Sequence, residues 1–207
     1  MTGQILQIEI WRPMLTLILA SLAVMGSPGP STVSATAVGA VYGFRRSFPY
    51  ACGLILGTIV VLLAVAAGAV TILLSIPYGA PVLLAISAVY IGYLALKIAT
   101  APPLASQRDQ VVTPIFAGGF LLAVANPKAY LAIAAVFAGT NVYVDDHGLD
   151  AVVKTALLGL MIVVIHIGWL LAGASLSRAL RDPIISRTVN ILLATTLVIT
   201  TAIALLR

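Results

Sequence analysis

Charge is scarce in this chain: Asp, Glu, Lys and Arg make up 8% of its 207 residues, against about 25% in a soluble domain, and only six of them are acidic. That excludes an ordinary water-facing surface. From Ser47 to Leu96 charge is missing altogether, and as helix this run would extend about 75 Å, more than twice the ~30 Å hydrocarbon core of a bilayer. It must fold back, and Pro77, Tyr78, Gly79, Ala80 and Pro81 write the turn, since prolines stop one helix and open the next. Cysteine is almost absent. A lone Cys52 inside an apolar run excludes an intrachain disulfide and a paired-thiol relay, and it reads as a small packing residue. No apolar run contains a carboxylate, and none holds the cluster of carboxylates, histidines or thiols that a metal-ion carrier needs. Neither a metal nor a cofactor is expected. An intramembrane enzyme would have to use His166 to activate Ser27 or Ser31 with no orienting carboxylate in a span, so the chain is read as no enzyme.

What is abundant is apolar: 61% of residues are hydrophobic, with a mean hydropathy of +1.15. The net charge of +5 does not describe a nucleic-acid binder, which gathers Lys and Arg on one face. Here they stand singly or in pairs between apolar runs, the pattern of membrane-orienting charge. The expected partners are the lipid bilayer and a small-molecule substrate, with homo-oligomerisation left open. Glycines at four-residue spacing, Gly39/Gly43 and Gly53/Gly57, allow close helix approach and are assigned to packing within the bundle. The first apolar run is preceded by Glu9 and ends in Ser27-Pro28-Gly29-Pro30 without an Ala-x-Ala site, so it reads as a retained span and not a cleaved signal.

Six apolar segments run from Pro13 to Tyr42, Phe48 to Ser75, Pro81 to Leu96, Pro114 to Val144, Thr155 to Ala174 and Val189 to Leu206. The reading is one all-α integral membrane domain, residues 1–207, of six transmembrane helices. A polar linker, residues 100–113, separates repeat one (13–99) from repeat two (114–206). Each repeat opens with a proline, is broken mid-run (Ser27 to Pro30, Asn126 to Lys128) and continues to a charged loop (Arg45 and Arg46, Asp145 and Asp146). Three crossings per unit make the repeats inverted, with the first and fourth helices broken near mid-membrane, where transporters of this build hold their substrate. With six full spans, Arg45, Arg46, Lys97, Arg108, Arg178, Arg181 and Arg187 face Arg12, Lys154 and Arg207, placing the larger set in the cytoplasm and both termini outside. If the broken segments were re-entrant hairpins the division would again be seven against three. Charge alone leaves both topologies open.

The breaks carry the chemistry. Proline has no amide proton, so Pro28, Pro30 and Pro127 deprive Val24, Gly26 and Ala123 of their helical donors. Beyond each break a half-helix begins, near Ser31 and Ala129, with unpaired amides at its positive end. Acceptors beside donors suit a zwitterionic amino acid, and Gly26 and Gly29 would let it approach the backbone. Lys128 is the one charged side chain deep in an apolar run; it pairs with a substrate carboxylate or caps freed carbonyls. Asn126 either bridges the break or touches substrate. His166, whose free pKa lies near 6.5, is a candidate proton-coupling group or a neutral bridge between helices. Asp145, Asp146, His147 and Asp150 are read as a solvated loop. Candidate substrate-binding or gating residues are therefore Gly26, Pro28, Gly29, Pro30, Ser31, Asn126, Pro127 and Lys128.

At Gly26-Ser27-Pro28-Gly29-Pro30, at Gly43-Phe44-Arg45-Arg46 leading to Gly53 and Gly57, and at Asn126-Pro127-Lys128-Ala129, the chain resembles the lysine exporter and homoserine/threonine resistance family of amino-acid exporters. The resemblance covers nearly the whole length. It implies a multi-pass protein of the bacterial inner membrane, driven by proton motive force, carrying amino acids or related metabolites outward, and it favours six spans over hairpins. Where the family often has an aromatic-rich stretch ending in Pro-Gln-Phe, this chain has Ala135 to Thr140, so no substrate follows by analogy. With no acidic residue in a span to balance a cationic side chain, the expected cargo is a neutral or zwitterionic amino acid. The alternatives are another small solute or ion, or a membrane scaffold, which would leave the matched breaks unexplained.

Overall fold

The computed structural model describes residues 2–68, 115–176 and 182–205, with individual positions between 77 and 100. The linker assigned to 100–113 lies almost wholly outside the described residues, as does Pro114. Every regular element is helical: α1 (Thr2–Ala20), a π-helical turn (Ser21–Met25), α2 (Pro30–Ala66), α3 (Phe116–Val124), α4 (Pro127–Ala138), α5 (His147–Leu176) and α6 (Pro183–Leu205). Scattered helical positions from Val82 to Ala99 mark the third apolar segment.

The 37 residues of α2 are not one rod. Gly43 takes φ 73° and ψ 170°, a conformation open to glycine and strained for other residues. Across it Ser47 Oγ donates to Val38 O at 2.9 Å and Tyr50 OH to Ser34 Oγ at 3.2 Å. Residues 34 and 50 would be about 24 Å apart along a straight helix, so the chain reverses here. The arm 30–42, about 20 Å long, is too short to cross a bilayer, whereas the arm 44–66, about 35 Å, suffices. This corrects two expectations. Arg45 and Arg46 sit in the first turn of the second arm and not in a loop, and Gly43 is the turn residue itself, with nothing near enough to pack on it.

Helix α5 is also long and apolar enough to span, and α3 with α4 forms a bent pair, 61° apart, that passes the same length and composition test if taken as one span. Other boundaries shift by sequence-local causes. The first helix starts well before Pro13 and carries that proline inside it. Helix α4 ends at Ala138, short of the expected Val144, and α5 starts at His147, where Asp146 Oδ1 caps Leu149 N at 2.9 Å.

In lipid, helices associate through close packing and not through a hydrophobic driving force. Small residues do that work around α2. A side chain at Gly53 would collide with the backbone of Phe116, one at Gly57 with Phe120 O at 2.7 Å, and one at Gly39 with Leu170 O at 2.5 Å. The second arm of α2 thus lies against α3, and the first against α5. Two buried clusters result. Val33, Val38, Tyr50, Leu54, Ile91, Leu122 and Ala194 fill one; Leu17, Val61, Leu62, Ile133, Val136, Leu158 and Ile162 fill the other. The outer faces stay apolar, with Leu15, Leu19, Leu56, Leu63, Leu160 and Leu171 exposed, as a lipid-facing surface requires.

Candidate functional site

The two proline breaks, about a hundred residues apart in sequence, meet in space. The first follows the π turn, closed by Gly26 N on Ser21 O at 3.0 Å. Residues 26–29 are non-helical, and α2 restarts at Pro30 with Gly29 extended before it. The second leaves α3 at Val124 and restarts at Pro127 with Asn126 as cap. From this cap Asn126 Oδ1 accepts Lys128 N at 3.1 Å and Nδ2 donates to Ser31 Oγ at 2.9 Å. Lys128 Nζ donates to Ser27 O at 2.6 Å, Ser27 Oγ at 2.8 Å and Pro28 O at 2.9 Å. An ammonium has three protons, so all are engaged.

Three sequence expectations need correction. The carbonyls freed by the prolines are not open to a ligand. Val24 O receives Ser27 Oγ at 2.8 Å, Gly26 O receives Trp169 Nε1 at 3.0 Å, and Ala123 O receives Asn126 N at 3.2 Å. Unpaired backbone in lipid costs several kcal/mol per group, and neighbouring donors remove that cost. The amides opening α4 are likewise engaged, Lys128 N by Asn126 Oδ1 and Ala129 N by Asn126 O at 3.0 Å. The space beside Gly29 is filled by the Lys128 side chain, whose Cδ would lie 2.6 Å from an added Cβ, and Gly26 packs on Leu22 O; these glycines admit protein groups and not a ligand.

Beside the junction lies a cavity of about 40 Å³ bounded by Ser27, Ser31, Thr58, Asn126, Lys128 and His166, with Ile133 and Ile162 as apolar wall. It takes about three waters at ~10–15 Å³ each, less than an amino acid occupies. His166 is 5% exposed, its Nδ1 2.8 Å from Ile162 O. Of the residues singled out from sequence, Gly26, Pro28, Gly29, Pro30, Ser31, Asn126, Pro127 and Lys128 therefore all lie at one junction, and His166 on the wall of its cavity. Sequence reasoning missed Thr58 and Trp169. The position of Trp169 three residues after His166, one turn along the same helix face, was the available signal.

A second polar cluster was read as a solvated loop, which holds for three of its four residues and fails for Asp150. Asp145, Asp146 and His147 are exposed, but Asp150 is 5% exposed and pairs with Lys154 Nζ at 2.7 Å. Its Oδ1 accepts Val142 N at 2.6 Å and Tyr143 N at 3.0 Å, while Lys154 donates to Thr140 O at 3.1 Å and stands 4.4 Å from the centre of the Phe137 ring. The pair ties the α4–α5 connection to the first turns of α5. An unpaired charge would not be tolerated at that burial.

Among the described residues, all-helical architecture, exposed apolar faces and two helix breaks locked together beside a small cavity are those of a helical membrane protein. The family of LysE type translocators matches residues 21–207, and the chain belongs to it. It is a transporter and not an enzyme. It is 33% identical over 177 residues to a cysteine/O-acetylserine efflux protein of Salmonella paratyphi A, covering 83% of this chain and 87% of that one. A cysteine/O-acetylserine efflux protein of Escherichia coli (strain UTI89) is 33% identical over 175 residues, with the same coverage. No solved structure matches.

Proposed function

We propose that this protein exports small zwitterionic amino acids with uncharged side chains across the bacterial inner membrane, driven by proton motive force. In this reading residues 13–99 and 114–206 are inverted repeats of three spans each, and substrate passes where their broken helices meet. The observation that carries it is the junction itself. Lys128 of one repeat holds the carbonyls of Ser27 and Pro28 in the other, and Asn126 holds Ser31. Such a contact across a pseudo-symmetric interface is the place where alternating access opens and closes. The small cavity belongs to a closed state, and admitting substrate requires the Lys128 contacts to part.

Chemistry of the wall favours neutral cargo. Among the described residues, no carboxylate lines the cavity, so lysine or arginine would bring an unbalanced second cation. The relatives named for cysteine and O-acetylserine efflux point to cargo of the same class.

The test is counterflow in proteoliposomes holding purified protein, preceded by profiling of medium from cells with and without it. L-Cysteine and O-acetyl-L-serine are expected to exchange, and L-lysine is not. Lysine exchange at a comparable rate would sink the neutral-cargo reading; no exchange of any amino acid would sink the exporter.

A further inference from the structure

His166 is the one ionisable group of the cavity wall whose bonding leaves a nitrogen unused. Its Nδ1 faces a backbone carbonyl, Ile162 O, at 2.8 Å. A carbonyl offers only lone pairs, so Nδ1 carries the proton, and in the neutral ring Nε2 is the acceptor. Nε2 is buried and has no hydrogen-bond partner among the described residues. His166 lines the cavity, and with Nδ1 turned back to its own helix Nε2 is the ring nitrogen left over, closed off even from water in this state. A buried acceptor without a donor costs about 1–3 kcal/mol. It asks for a donor that comes and goes.

The rest of the wall is short of donors. Ser27 spends its hydroxyl proton on Val24 O, Thr32 on Gly29 O and Thr58 on Leu54 O, and the three ammonium protons of Lys128 are engaged on Ser27 and Pro28. The few polar atoms in this largely apolar wall therefore offer more lone pairs than protons: besides the Ser31 hydroxyl and one Asn126 amide proton, they are acceptors, the imidazole nitrogen of His166 among them. An ammonium entering the opened site would find acceptors there. Lys128, from α4, is the other titratable group lining it; the π turn and both arms of α2 contribute none. On α5 itself Asp150 and Lys154 lie about 24 and 18 Å away along the helix and are paired with each other.

We propose that His166 Nε2 is a shared acceptor, taking either the α-ammonium of the substrate or a proton, never both, so that each substrate leaving the site is replaced by one proton. This rests on the amino-acid reading above and deepens it by locating the exchange at one atom. A protonated Nε2 becomes a donor and a second cation beside Lys128, which excludes an ammonium. Neutral Nε2 restores the acceptor.

Two variants separate this from a packing role. Gln at position 166 keeps an acceptor and cannot be protonated in the working range; Asn does the same with a shorter reach. In proteoliposomes with radiolabelled L-cysteine as probe, His166→Gln and His166→Asn are expected to keep measurable exchange at zero pH gradient, with KM raised because the acceptor for the ammonium is altered. Both are expected to lose accumulation driven by an imposed pH gradient, and with it the substrate-dependent proton flux seen by a trapped pH dye. In the wild type, acidification should raise KM for exchange and leave kcat unchanged, a profile absent from the Gln variant. Gradient-driven accumulation intact in either variant overturns the proposal. So does loss of exchange in variants that remain monodisperse in detergent, and so does a wild-type KM independent of pH. Wild-type protein that exchanges no zwitterionic amino acid overturns the exporter reading as well, whereas wild-type exchange with an unaltered gradient response in the variants overturns this inference alone.

Discussion

Replacing Lys128 by Met should unlock the closed junction while leaving the bundle assembled. The side chain keeps a similar length, so its stem still lies against Gly29, but three bonds to Ser27 and Pro28 are lost. Hydrogen bonds to a charged group contribute about 1.5–3 kcal/mol each. Counting only the two part-buried bonds to Ser27 and giving the exposed one to Pro28 no weight, the closed state loses about 3–6 kcal/mol. Each 1.4 kcal/mol is tenfold in an equilibrium, so the open fraction rises by at least about a hundredfold if opening breaks these bonds in the wild type. The assay uses a Cys52→Ala background with Thr58→Cys, a buried position on the cavity wall. In the closed state a maleimide reagent does not fit a space for three waters. Labelling should be slow with Lys128 present, at least tenfold faster with Lys128→Met, and transport should fail. Unchanged labelling would refute the lock. Faster labelling with normal export would refute its role in the cycle.

Gly29→Ala tests the same lock from the opposite side, since an added methyl would stand 2.6 Å from Lys128 Cδ and 2.8 Å from Nζ; export is expected to fall at least tenfold with protein levels unchanged, as measured by efflux from loaded cells. Around Asp150, removing one partner of a buried pair costs about 3–5 kcal/mol, so Asp150→Asn or Lys154→Met should lower the thermal midpoint in detergent. The double variant should lose less than the sum of the two, because no uncompensated charge remains; strict additivity would mean the pair is not coupled.

How far the sequence reached depended on whether the determinant was local. Proline has no amide proton, so both breaks could be placed to within a residue or two from Pro28, Pro30 and Pro127 alone. The absence of charge from Ser47 to Leu96 likewise dictated a lipid-embedded chain folded back on itself. A reversal between Tyr42 and Phe48 was legible from Arg45 and Arg46, but that Gly43 alone makes it was not, because a single glycine looks the same whether it packs or reverses the chain, and only the bonds between Val38 and Ser47 and between Ser34 and Tyr50 distinguish them. Asp150 looked solvated for a similar reason: its partner Lys154 is one turn away in sequence, but burial comes from the chain segment 139–146 lying across it.

That two helices must break, and that unpaired backbone groups must appear at each break, follows from the residues alone. Which groups stay unpaired is a matter of packing. The carbonyls expected to be open are closed by Ser27, Trp169 and Asn126. Those of Ser27 and Pro28 are held by Lys128 from the other break, and the unused acceptor moved to His166 Nε2 on α5. Proline's missing proton is a property of one residue, legible in any sequence. The donor that replaces it comes from wherever the fold brings one within about 3 Å, and that distance is fixed only when helices remote in sequence pack together.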